Sequence, residues 1–456
     1  MLISKKTSDV LSLALEERKE VYCKGLFLSA RWFVLTQVAK GGTHLILMPD
    51  KESAEYCASD LYSLVEGDIV FFLPDSGKVV EKSNFKSSVG VQRTSAIGEL
   101  VSNKDNSKRL FVVTYPDALE EKVPAAKNIE NSILKVSTGQ EISHDVIKET
   151  LVNQGFEKVD FVSSPGQFSI RGSIIDVFSF SFNYPFRISF FGNEVEKIHV
   201  FDCNTQLSKE EREEVEIFPD LAGEESDMEG MTSVSELFPK GTIVWADSSD
   251  MYRKREFFKE LDSFKKVFLE VPLEVDNDEV IKFDISPQPV FNKNFELLSA
   301  DIAKNIERGY SVFIFSEKKS QTDRLESILR ENKGLVPEFV QGKNIHAGFI
   351  DNEDKVCCYS DHEIFDRFHR VSVRRAVEKS EQLTLNDLTA FNIGDYVVHI
   401  DHGVGIFGGL VRMKDDKGRM HEVVKLMYKD GDVVFVSVHS LNKISRFRSK
   451  DGEPPK

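Results

Sequence analysis

The segment Gly25-Leu26-Phe27-Leu28-Ser29-Ala30-Arg31-Trp32 is where this chain comes nearest to a phosphate-binding loop. Such a loop reads Gly-x-x-x-x-Gly-Lys-Ser/Thr: glycines let backbone amides surround phosphate, the lysine neutralises it, and the hydroxyl holds Mg²⁺. Here the second glycine is Ala30, the lysine is Arg31 and the hydroxyl residue is Trp32. An indole cannot ligate Mg²⁺ and is expected to fill space near the phosphates. Further on, Ile243 to Asp247 reads as a strand followed by Ser248-Ser249, whereas a hydrolytic site usually places a glutamate after the aspartate. Whether the segment descends from a nucleotide site or never was one, it should not hydrolyse ATP. Neither Gly-x-Ser-x-Gly nor His-Glu-x-x-His occurs. His399 and His402 sit around a strand end without a clear third ligand, which favours structural roles over metal binding. Gly403, Gly405, Gly408 and Gly409 precede no capped helix, so they read as glycines that let a small barrel bend.

A second constellation suits docking rather than catalysis. Residues 166–178 and 185–202 alternate apolar and polar types, which predicts consecutive antiparallel strands. Arg171 and Arg187 lie on them near Phe191, and a cation beside an aromatic is a common docking combination. The plainer reading is an ordinary hairpin with solvated arginines.

Composition narrows the possibilities. The chain has 456 residues, 41% hydrophobic and 29% charged, enough for several domains of ordinary globular make-up. No apolar run approaches the ~18–20 residues of a membrane helix, and no export signal is evident at the start. The five cysteines are odd in number and irregular in spacing, which argues against a disulfide framework and a zinc site and favours a reducing cytoplasm. The adjacent Cys357 and Cys358 read as small apolar residues on a buried strand. A net charge of −16 favours protein partners over nucleic acid.

The elements that must carry these residues fall into blocks. Through residue 126, apolar strands at 43–48, 69–73 and 110–114 alternate with helices, one capped by Asp50 with Ala54, Cys57, Ala58 and Leu61 on a single face; this predicts a parallel sheet covered on both sides. Residues 127–213 form the antiparallel block. The acidic run from Glu210 to Glu229 reads as a solvated linker or helix face. A strand at 242–247 is expected to rejoin the first sheet within 214–282, making 127–213 an insertion. Residues 283–371 read as a separate small α/β domain, 372–386 as a charged linker helix, and 387–450 as a compact all-β module with Asp430-Gly431 at a hairpin turn.

Two of these blocks carry a family resemblance. Phe168, Arg171-Gly172, Asp176, Arg187, Phe190-Phe191, Glu194, Phe201-Asp202 and Thr205-Gln206 resemble the domain that the excision-repair protein UvrB shares with the bacterial transcription-repair coupling factors. Val397-Val398-His399, His402-Gly403-Val404-Gly405, Phe435-Val436, Ser440-Leu441 and Ile444-Ser445-Arg446 are similar to the RNA-polymerase-interacting module of the coupling factors, a Tudor-like barrel of CarD type. The resemblance implies an α/β multi-domain chain: a UvrB-like, degenerate RecA-type domain with an inserted α+β UvrA-binding domain, the small α/β domain, and the barrel. It implies that Arg171, Arg187 and Phe191 bind UvrA, and that the barrel docks on the polymerase β subunit through a strand edge with Leu410 and Met413 as apolar contacts. The coupling factors continue into an ATP-driven DNA translocase, and this sequence stops where that motor would begin. The expectation is therefore a non-catalytic N-terminal piece without a cofactor, with ATP, Mg²⁺ and most DNA contacts belonging to the motor. Alternatives are a UvrB-type helicase component of the excision nuclease and a CarD-like transcription regulator.

Overall fold

The computed structural model describes residues 3–67, 69–76, 88–182, 184–203, 207–221, 230–273, 280–333, 337–366, 394–399, 403–414, 420–428, 432–437 and 444–446. They fall into two compact units, Met1–Ala376 and Val377–Lys456. The expected linker helix at 372–386, His402, Thr205-Gln206 and the Asp430-Gly431 turn lie outside the described residues.

The first unit is built on a seven-stranded sheet in which every neighbouring pair is parallel. Its order in space is Val280–Lys282, Glu20–Lys24, Lys265–Phe268, Ile243–Ala246, Thr43–Leu47, Leu110–Thr114 and Val70–Phe72. Thr43–Leu47 and Leu110–Thr114 are buried at every position, as continuous apolar strands covered on both faces must be. Helix Lys51–Leu64 starts where Asp50 accepts the Ser53 N–H at 2.9 Å, and it buries Ala54, Cys57, Ala58 and Leu61. Ile243–Ala246 lies between early and late strands of this sheet, so the antiparallel block is inserted into one parallel domain.

That inserted block is a six-stranded sheet ordered Ser208–Arg212, Glu194–Phe201, Phe186–Phe191, Ile174–Val177, Gln167–Arg171 and Glu157–Lys158, antiparallel except for the last pair. Phe168, Ile175, Val177, Phe186, Ile188 and Phe190 fill its buried face. The acidic run departs from its reading as linker or helix. Ser208–Arg212 is a fully exposed edge strand, and Glu214–Ile217 pairs with Leu134–Ser137. An edge strand with one neighbour and both faces in water tolerates charge at every position, and charge there discourages edge-to-edge aggregation.

The small α/β block has a sheet ordered Ile285–Pro287, Phe349–Asp351, Val356–Ser360, Ser311–Ser316 and Glu338–Gln341, with helices Phe295–Glu307 and Lys319–Lys333. Strand alternation divides its side chains between two cores. Val312, Ile314 and Cys357 join Leu298, Ile302, Leu325 and Leu329 in its own core. Phe315, Phe349 and Cys358 point the other way, into a core shared with Trp32, Phe33 and Ile46 of the parallel-sheet domain. The block is therefore fused to that domain rather than separate from it. Both cysteines are fully buried, on opposite faces of one strand.

The second unit is an antiparallel sheet ordered Val433–Ser437, Met420–Met427, Gly403–Lys414, Tyr396–His399 and Ile444–Arg446. Among the described residues no pairing closes it into a barrel. The glycine-rich stretch is not a separate turn. It belongs to one strand of 12 residues whose register slips between Phe407 and Leu410. Gly409 sits there at φ +91°, a conformation that side chains with a Cβ rarely adopt.

Candidate partner-docking sites

Two-residue turns place the three residues of the inserted sheet. Arg171 pairs with Ile174 across Gly172-Ser173, and Phe191 pairs with Glu194 across Gly192-Asn193. Ser189 lies opposite Ile174, so both turns sit at the same end of the sheet. Asp176 is paired directly with Arg187 and with Ser169, which puts Arg171, Asp176, Arg187 and Phe191 on one face, opposite the phenylalanine core.

The electrostatics of that face centre on Asp176, only 1% exposed. Arg187 grips its carboxylate bidentately, Nε to Oδ1 at 2.7 Å and Nη2 to Oδ2 at 2.9 Å, and Arg171 donates its Nη2 to the same Oδ2. The Asp176 bond raises the proton affinity of Arg187 further, against the opposing effect of burial. Each guanidinium also lies over a ring: Arg187 over Phe201 at 4.2 Å and Arg171 over Phe161 at 4.8 Å. Phe191 stands apart, 80% exposed at the hairpin tip. Sequence reading cast the arginines as cations facing a partner. The fold holds both by an internal carboxylate, in fixed orientations on the face from which Phe191 projects. Asp176 and Phe161 had no role in that reading, although counting back across a two-residue Gly172-Ser173 turn puts Asp176 opposite Ser169, on the face of Arg171.

The phosphate-loop-like turn links strand Glu20–Lys24 to helix Ala30–Val38. Gly25 has φ +77°, and a Cβ there would fall 2.4 Å from the Phe283 carbonyl oxygen. Arg31 donates from Nη1 to Asp247 Oδ2 at 2.6 Å, so the cation in the lysine position neutralises the carboxylate at the end of Ile243–Ala246. Trp32 departs from its expected place. Its indole is 3% exposed within the shared core, under the Arg31 guanidinium at 4.9 Å, rather than in the turn itself. Ala30 is fully buried at the start of the helix. With Trp32 in the place of the hydroxyl residue, the Ser29 hydroxyl engaged by Asp60 and the Ala347 N–H, and Asp247 ion-paired to Arg31, these residues do not fit a Mg²⁺-nucleotide.

In the second unit, strand pairing on one side of Gly403–Lys414 ends at Ile406 with Tyr396, followed by Phe407 bonding to Gly394 and Asp395. Beyond it, among the described residues, the strand pairs only with Met420–Met427, leaving one edge uncovered. Leu410 lies on that stretch, opposite Val424 and 43% exposed, and Met413 is in register with His421. Among the described residues no group of three metal-ligating side chains occurs, and no helix is long and apolar enough to cross a membrane.

Comparisons with known proteins match both blocks. Residues 134–221 match the UvrB interaction domain, and residues 391–448 match the CarD-like/TRCF RID domain. Over 95% of its length the chain is 20% identical to the transcription-repair-coupling factor of Staphylococcus aureus strain USA300, covering 45% of that protein. The corresponding protein of Staphylococcus haemolyticus is also 20% identical, over 90% of this chain and 44% of its own length. The chain thus spans a little under half the length of these relatives. The two domain matches fall on the blocks that hold the arginine–phenylalanine face and the strand edge left open among the described residues, and over most of its length the chain is similar to transcription-repair-coupling factors.

Proposed function

We propose that this chain works as a two-ended adaptor that couples excision repair to transcription, recruiting UvrA to RNA polymerase stalled at a lesion. One observation carries the reading. Arg171, Arg187 and Phe191 share one face of the inserted sheet, with Phe191 uncovered at a hairpin tip and both guanidinium groups partly exposed, within the stretch that matches the UvrB interaction domain. Preorganised guanidinium groups beside a large apolar side chain form the kind of centre that dominates protein interfaces, the arginines pairing with acidic groups and Phe191 entering a pocket. In the second unit, the edge of Gly403–Lys414 left uncovered among the described residues suits strand addition by the polymerase β subunit, with Leu410 and Met413 as apolar contacts. In this reading the second unit closes as a Tudor-like barrel, with Ile444–Arg446 beside Tyr396–His399 as its last strand.

No chemistry is assigned to the degenerate phosphate loop. In this reading ATP, Mg²⁺ and most DNA contacts go with the translocase portion of coupling factors, which pushes the polymerase forward and displaces it. Capture of purified UvrA and of the polymerase β N-terminal region tests the adaptor. Arg171→Ala with Arg187→Ala should abolish the first interaction and spare the second. Capture of neither partner by the unmodified chain would reject the proposal, and equal loss of both in the double variant would signal misfolding. Saturable binding of a fluorescent ATP analogue would favour the helicase alternative.

A further inference from the structure

Ser29 occupies the N-cap of helix Ala30–Val38, where a serine hydroxyl ordinarily accepts a backbone N–H of the first turn, yet its side chain makes no capping bond. Its Oγ donates instead to Asp60 Oδ2 at 2.5 Å and accepts the Ala347 N–H at 3.0 Å. Ala347 belongs to the small α/β block, more than three hundred residues away in sequence. Its neighbours are tied down in the same way. The His346 N–H donates to Asp60 Oδ1 at 2.6 Å, the Asn344 N–H to Ser63 Oγ at 3.3 Å, and the Gly348 N–H to Glu363 Oε2 at 2.6 Å. Four amides of one five-residue stretch are thus taken up by side chains, three of them from the parallel-sheet domain. Ile345, between them, is fully buried in the shared core, and the His346 ring stacks on Tyr56 at 3.7 Å.

We propose that residues 344–348 are a built-in latch that locks the small α/β block onto the parallel-sheet domain through Ser29, Asp60 and Ser63. Asp60 and Glu363 are carboxyl acceptors and the Ser29 hydroxyl is buried, which makes these three bonds worth more than solvent-exposed ones. Asp60 is completely buried, with its two oxygens divided between Ser29 and His346. Its carboxyl is pushed up to about 7, because burial, assisted by Glu363, outweighs the lowering effect of the Ser29 and His346 bonds and of the nearby Arg31. The aromatic contacts of Phe33 with Phe315 at 5.9 Å and Phe349 at 5.3 Å supply an apolar seal beside the polar bonds. This gives a role to a block that carries no partner-docking motif, and it stands apart from the adaptor reading.

Hydrogen exchange read by mass spectrometry on the full chain tests the latch. Asp60→Ala should speed exchange of the amides in 344–348 by roughly tenfold or more, with peptides across 167–201 unchanged. Asp60→Asn, which keeps the shape and one acceptor oxygen, should restore part of the protection. Ser29→Ala is the milder variant and should expose Ala347 selectively. Unchanged exchange in 344–348 for both alanine variants would overturn the proposal, and so would uniform acceleration throughout the chain, which would make Asp60 a general fold determinant. UvrA capture should be unaffected in every variant, so failure of the latch and failure of the adaptor are separable.

Discussion

Asp176→Asn is the sharpest test of how the arginine face works, because Asp176 is 1% exposed and cannot itself touch a partner. Asparagine retains one acceptor oxygen but turns an NH₂ toward a guanidinium, donor against donor. Three charge-assisted bonds are affected, two from Arg187 and one from Arg171. Removing one partner of a buried pair costs about 3–5 kcal/mol. The side chains of Arg187 and Arg171 are 20% and 37% exposed, so water resolvates them in part. The Arg171 contribution in particular is discounted for screening, leaving a loss of roughly 2–3 kcal/mol for the inserted sheet. Amides of strands Gln167–Arg171, Ile174–Val177 and Phe186–Phe191 that exchange through opening of this sheet should then do so roughly 30- to 150-fold faster. UvrA capture should weaken in parallel, since the guanidinium groups lose their fixed orientation while Phe191 is untouched. Unchanged exchange together with unchanged capture would refute the claim that this carboxylate organises the docking face.

Other outcomes follow from single positions. Phe191→Ala should leave thermal unfolding within about 0.5 kcal/mol of the unmodified chain, because the ring is 80% exposed, yet lower UvrA affinity roughly 10- to 100-fold by calorimetry. Gly25→Ala should destabilise the first unit by roughly 2–4 kcal/mol in urea titrations followed by tryptophan fluorescence, since the new Cβ meets the Phe283 carbonyl at 2.4 Å in a positive-φ turn. His44 is buried and neutral: it accepts the Trp245 Nε1–H at 3.1 Å, and its other ring nitrogen lies 3.1 Å from the Gly41 carbonyl oxygen. Burial chiefly lowers its pKa from 6.5 to about 4, with Gly41 opposing and Arg109 assisting. Its contribution is therefore complete above pH 6.5 and is lost as pH falls through 4, about 3 kcal/mol for a shift of that size. In His44→Gln the gap in urea midpoint from the unmodified chain should shrink as pH falls from 7 to 4; a constant gap would contradict the assignment.

Much of this molecule is legible in one dimension because short-range physics suffices. Unbroken apolar runs at Thr43–Leu47 and Leu110–Thr114 can only be strands covered on both faces, and Asp50 announces its helix by local capping chemistry. Alternation across residues 166–202 likewise set which side of each strand meets the core, so Phe191 was bound to face outward with Arg187. Composition misled where edge and interior differ: the acid-rich 208–212 looks like linker but pairs as an outermost strand, because an edge needs no apolar face. What only the tertiary structure decided are the long-range pairings. Nothing local reveals that Arg31 meets Asp247 across the parallel sheet, or that Ala347 reaches back to Ser29. Such contacts depend on where separate strands and helices come to rest, and that placement is set by the summed packing of whole cores, to which no short window of residues has access.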